Sequence, residues 1–233
     1  IMKDLYTPEN QIQCVTNFKD LVSIPFYKEI NAICWKRKLI GDFSEIVNKL
    51  ELNGNIAEID QEELRELRLS EQGQLAREIL LNDLKLLEDY GASPTLNLIK
   101  YYEKDDDFPF IPTDVYSFHV DRSPIPTHTF LCTYHGAASE ILPNSQGIQK
   151  ILLPEIRAEL KKLYHGKEED FDAFLEENFF DLHYQAHSDA QIINLGLGNL
   201  WKIAVDHPES KVLPCLHRAP IESDGKTRLL MIC

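Results

Sequence analysis

The chain has 233 residues, 43% of them hydrophobic, enough for one large domain around a full-sized core, or for one domain with a substantial N-terminal extension. A formal net charge of −14 and a pI near 5.0 disfavour tight non-specific binding to nucleic acid or to an anionic membrane, since both are polyanions. No stretch offers the roughly 18 consecutive apolar residues of a membrane span, and the opening "IMKDLYTPEN" lacks the basic and then apolar order of a secretory signal.

The first ninety or so residues read as mostly helical. A helix is expected from Asp60, with Glu63 placed as its capping-box partner. A longer one follows "LSEQG" through "QLAREILLNDLKLLEDYG", where Leu75, Ile79, Leu80, Leu84 and Leu87 repeat at helical spacing. Gly91 and then Ser93-Pro94 end it. The acidic run "DQEELRE" reads as a solvated helix face.

After Pro94 the pattern changes. "TLNLIKYY" (95–102), "VYSFHV" (115–120) and "HTFLCTYH" (128–135) are short β-branched and aromatic runs, separated by loops rich in proline and charge. Residues 148–180 return to helical periodicity, with Gly166 as a break. "QIINLG", "NLWKIAV", "KVLPCLH" and "TRLLMIC" then read as strands to the end. Strands divided by turns, with one helical insertion and no βαβ alternation, predict an α+β protein whose core is an antiparallel sandwich or barrel. The expected division is a mostly helical portion over 1–93 packed on a β core over 94–233, with the helical insertion at about 148–180.

Within "VYSFHVDRSP", His119 and Asp121 fall two apart on a predicted strand and so point to one face. His217, in "VLPCLHRAP", ends a later strand, and Arg228 stands eleven residues on, in the final one. A facial site of two histidines and one carboxylate needs three such ligands and leaves positions open for substrate and oxygen. The competing reading makes His119 and Asp121 an ordinary polar pair on a half-exposed strand, and Arg228 the partner of one of many carboxylates.

This order, His-x-Asp, a distal His, then Arg, resembles the Fe(II)- and 2-oxoglutarate-dependent dioxygenases of the double-stranded β-helix (jelly-roll, cupin-like) superfamily. The resemblance implies Fe(II) held by His119, Asp121 and His217. It also implies 2-oxoglutarate anchored through its distal carboxylate by Arg228, decarboxylation to succinate, and oxidation of a C–H bond in a small-molecule or peptide substrate. The stretches "INAICWKRKL", "FHVD", "LCTYHGAASEILP", "LHRAP" and "GKTRLLMI" further resemble a bacterial domain-of-unknown-function family. That family carries Phe-His-x-Asp, Thr-Tyr-x-Gly and His-Arg-Ser-Pro motifs and brings no assigned reaction. "GAASE" and "HRAP" depart from its Gly-Pro-Gly-Thr-Glu and His-Arg-Ser-Pro without removing any of the three ligands.

Thr133 and Tyr134 are candidate hydrogen-bond donors to a bound oxo-acid, against the alternative of a tyrosine packed in the sheet. Arg218 should face away from His217 and form an ion pair, and Lys202 should snorkel to the surface. His135 reads as a sheet-surface residue. The five scattered cysteines read as reduced thiols, with Cys132 and Cys215 acting as small hydrophobes, and the expected location is the cytoplasm. Two other functions compete: a cupin-like metal- or ligand-binding module without turnover, and a hydrolytic zinc site at His183 and His187, four apart on a helix face with Asp189 nearby.

Overall fold

A computed structural model of the chain describes residues 11–221 and 226–233. The opening segment read for a signal, and Gly225 of the last motif, lie outside these residues. The described chain begins with β1 (Ile12–Val15), α1 (Phe18–Ser23), β2 (Ala32–Trp35), α2 (Phe43–Lys49), β3 (Ile56–Glu58), α3 (Gln61–Glu66) and α4 (Glu71–Tyr90). β4 (Thr95–Ile99), β5 (Phe118–His119), β6 (His128–His135), β7 (Glu140–Leu142) and β8 (Gly147–Gln149) follow. Helices α5 (Pro154–Leu163) and α6 (Phe171–Glu177) then precede β9 (His183–Ala186), β10 (Ile193–Asn194), β11 (Leu200–Ala204), β12 (Leu216–Arg218) and β13 (Arg228–Ile232).

The strands form a seven-stranded sheet, ordered β1-β2-β11-β6-β13-β4-β3, and a six-stranded sheet, ordered β10-β7-β12-β5-β9-β8. All pairings are antiparallel except β1 with β2. One buried cluster joins Leu131, Trp201, Ile203 and Leu230 of the larger sheet to Ile141 of the smaller, so the two sheets share a core. The opposite face of the larger sheet, through Phe130, Cys132, Tyr134, Leu229 and Met231, packs under Leu80, Leu84 and Leu87 of α4 and the smaller helices.

Local chemistry accounts for the elements. Ser70 caps α4 by accepting from the Gly73 amide, and Gly91 at φ 97° ends it in the left-handed region that glycine enters without a Cβ penalty. Asp60 caps α3 through the Glu62 amide. β6 is buried at six of its eight positions, because it is central and covered on both faces; a near-continuous apolar run is the signature of such a strand.

Three expectations change. The first 93 residues are not only helical: β1 and β3 form the two edges of the larger sheet, and β2 lies between β1 and β11. They are three or four residues long, too short to display a period. Leu75 is 40% exposed, while the face of α4 turned to the sheet carries Ala76, Leu80, Asp83, Leu84 and Leu87. β7, which the sequence pattern does not mark, β8, which falls at the start of the stretch read as helical, and β9, whose His183 the sequence pattern sets on a helix, complete the smaller sheet. The helical insertion is present as α5 and α6, which pack with Phe108, Phe110 and Ile111 in a separate apolar cluster.

Candidate metal centre

β5 is flanked by β12 and β9, and the register sets His217 opposite His119 and His119 opposite His183. Phe118, Val120 and Leu216 pack together on the outer side of this sheet. Strand alternation therefore turns His119 and His217 to the side shared with the larger sheet, and Asp121, two residues beyond the end of β5, comes to the same place. One ligand atom from each of the three lies within 4.8 Å of the other two. Asp121 Oδ1 is 3.6 Å from His217 Nε2 and 4.0 Å from His119 Nε2, and the two rings are 4.6 Å apart between centroids.

The remaining atoms of this triad are fixed from behind. His119 Nδ1 lies 2.7 Å from the Ser117 carbonyl and His217 Nδ1 lies 3.2 Å from the Cys215 carbonyl. A carbonyl can only accept, so each ring carries its proton on Nδ1 and offers the Nε2 lone pair to the centre. Thr129 Oγ1 donates to Asp121 Oδ2 at 2.6 Å, leaving Oδ1 toward the histidines. Burial, and then the neighbouring His217, lower the His119 pKa to about 4, so the ring is neutral at pH 7 as a metal ligand must be. The site fits a divalent ion in donor set and in orientation.

Arg228 is buried, and its alternation with Leu229 and Met231 turns it to the same inter-sheet side. Its Nη2 donates to Thr133 Oγ1 at 3.1 Å and to Ser139 Oγ at 2.6 Å. Gly136 lets the chain pass close by: its φ is +85°, and an added Cβ would stand 2.7 Å from the Thr227 carbonyl oxygen and 2.9 Å from Arg228 Cα.

Thr133 and Tyr134, nominated together, part company. Thr133 meets Arg228 between the sheets, whereas Tyr134, the next residue, faces the helices and donates to Asp83 Oδ2 at 2.6 Å. That carboxylate on α4 also takes a two-pronged ion pair from Arg37, whose Nε donates to the Gly198 carbonyl at 2.6 Å. Tyr134 thus belongs to a buried network that ties α4 to the sheet. Adjacent strand residues face opposite ways, so the pair could not both line one cavity.

Arg218 pairs with Glu140 at 2.7 Å on the outer side and lies over the Phe118 ring. Lys202 does not snorkel: it is 1% exposed, and its ammonium donates to the Ile24 carbonyl at 2.7 Å near the end of α1. Desolvation lowers its pKa to about 8. Cys132 and Cys215 are buried free thiols whose pKa values burial pushes up, Cys132 to about 12, so both behave as apolar groups. His135 ends β6, partly exposed.

The helical zinc pair is not formed. His183–Ala186 is a strand, in which four residues span about 13 Å, and His187 and Asp189 are exposed. His183 instead joins the row of His217 and His119, with its ring 5.8 Å from that of His119. Sequence reasoning missed Thr129 and Ser139. Thr129 had a signal, since it lies four residues from Thr133 in an otherwise apolar strand and must share its face; Ser139, outside any strand, had none. Comparison with protein-family models, curated proteins and solved structures gives no match, and the reading of this centre rests on its own geometry.

Proposed function

We propose that the chain is an Fe(II)- and 2-oxoglutarate-dependent oxygenase on a double-stranded β-helix core, acting on a small molecule or peptide. The observation that carries this reading is the convergence of His119 Nε2, Asp121 Oδ1 and His217 Nε2, with both Nδ1 atoms tied back to main-chain carbonyls. Two neutral imidazoles and one carboxylate are the facial donor set that leaves non-haem Fe(II) open positions. Fe(II) held there would supply oxygen activation coupled to the decarboxylation of 2-oxoglutarate.

The protein's own part is to hold and orient. His119 and His217 keep their Nε2 lone pairs aimed at one point, and Thr129 fixes the rotation of Asp121. Arg228, steadied by Thr133 and Ser139, offers the planar cation that pairs with a carboxylate through two hydrogen bonds. Ile141, Trp201 and Leu230 pack in the apolar core that the two sheets share.

Anaerobic Fe(II) titration followed by a succinate assay with 2-oxoglutarate tests the reading. One iron per chain is expected, lost in His119→Ala and His217→Ala. The Arg228→Ala variant should keep iron and bind 2-oxoglutarate at least tenfold more weakly. A wild-type chain that takes up no metal refutes the proposal, and one that binds metal without affinity for 2-oxoglutarate is a metal-binding module rather than this oxygenase.

A further inference from the structure

Three histidines stand side by side across adjacent strands: His217 on β12, His119 on β5 and His183 on β9, each directly opposite the next. Directly opposed residues share a face, so His183, 6% exposed, looks into the same inter-sheet space as the two ligands. Tyr184, its neighbour in sequence, packs on the outer side with Phe118 and Leu216, as alternation requires.

His183 nevertheless differs from the other two in one respect. Each ligand histidine bonds its Nδ1 to the carbonyl two residues upstream, Ser117 for His119 and Cys215 for His217. The corresponding carbonyl for His183 is that of Asp181, and the Gln149 side-chain amide occupies it at 2.8 Å. His183 Nδ1 is left buried without a hydrogen-bond partner. A buried ring nitrogen left unpaired is destabilising, and a ligand hydrogen bond would relieve it.

We propose that His183 contacts the primary substrate, hydrogen-bonding an oxygen of a carboxylate or carbonyl group on the side of the metal centre away from Arg228. This rests on the metal-centre reading above and assigns the substrate side of it. The sidedness follows from strand order. Arg228 reaches Ser139, next to β7, which flanks the far edge of β12, whereas His183 lies on β9, beyond β5.

The preference for an oxygen acceptor comes from Lys150. Lys150, in the 3-10 turn that directly follows β8, is the cation whose charge acts on His183. Its ammonium donates to the neutral Ser117 Oγ at 2.7 Å and the Pro112 carbonyl at 3.1 Å, and no carboxylate of the described residues lies within 4 Å of it. Two donors are thus spoken for out of three. Asp105 and Asp114 also face this region, and their carboxylates are engaged by Thr113 Oγ1 and by the amides of Asp107, Asp105 and Tyr116.

The test uses the full chain loaded with Zn(II), which is redox-inert, and short hydroxy- and amino-carboxylates (lactate, malate, alanine) as probes. Long-range proton–nitrogen NMR of the imidazoles is the readout. At least one probe should shift the His183 ring nitrogens, and its affinity should fall at least tenfold in His183→Phe and recover in part in His183→Gln. Metal content and 2-oxoglutarate affinity should stay within twofold of wild type in both variants. Probes that bind equally to wild type and His183→Phe, or that leave the His183 signals unmoved, overturn the inference while leaving the metal centre standing. Loss of metal in both variants overturns it differently, by making His183 a ligand; a wild-type chain that takes up no zinc removes the parent reading as well.

Discussion

Replacing Thr129 by valine removes one hydroxyl and leaves the strand in place. The hydroxyl donates to Asp121 Oδ2 at 2.6 Å, a short bond to a charged acceptor, and Thr129 is only 9% exposed. Hydrogen bonds to charged groups contribute about 1.5–3 kcal/mol, but the Asp121 side chain is 35% exposed and water can partly replace the lost donor. The lower part of that range, about 1.5 kcal/mol, is therefore expected in the metal-bound state, which is roughly a tenfold loss of metal affinity. Valine at this site also keeps the β-branched shape that the strand favours. Competition with a chelator of known affinity for Zn(II) or Fe(II) measures the change directly, and circular dichroism confirms that the sheet is intact. An unchanged metal affinity in a folded Thr129→Val protein would mean that Asp121 is not oriented from behind, and the argument for a prearranged carboxylate would fail.

Further outcomes follow from the same structure. Asp83→Ala strands the Arg37 guanidinium, whose side chain is 10% exposed, and should cost about 3–5 kcal/mol in urea denaturation; Tyr134→Phe should cost about 1–2 kcal/mol and leave 2-oxoglutarate affinity unchanged, since the phenol lies on the helix side of the sheet. Burial, followed by a neighbouring histidine, lowers His119 to about 4 and His183 to about 3 from an ordinary 6.5. Between those values and 6.5 the unfolded chain binds more protons than the folded one, so the metal-free protein should lose stability as pH falls, by up to about 2 kcal/mol per histidine between pH 6.5 and 5. A thermal-melting profile that stays flat over this window contradicts the burial of these rings. Leu80→Ala should destabilise by about 2–5 kcal/mol, and Leu75→Ala by well under 1, as judged by denaturant midpoints.

How much of this was legible beforehand depends on the range of the interaction that decides each feature. The sequence determined α4, because Ser70, the apolar repeat and Gly91 act within a few residues of one another. It also determined β6, β11 and β13, whose near-continuous apolar runs between turn residues mark strands covered on both faces, and it paired His119 with Asp121 by their spacing of two. It could not determine β1, β2 and β3 as members of the larger sheet, since segments of three or four residues become strands only when a neighbour supplies the hydrogen bonds. Nor could it separate Thr133 from Tyr134 without knowing which face of β6 looks across to the smaller sheet. The tertiary structure alone decided that His183 stands in register with His119 rather than on a helix with His187, that Gln149 takes the carbonyl its ring would otherwise use, and that Asp83, Arg37 and Tyr134 close into one buried network. Each of these joins residues far apart in the chain, and only strand order and register bring such residues within hydrogen-bonding distance.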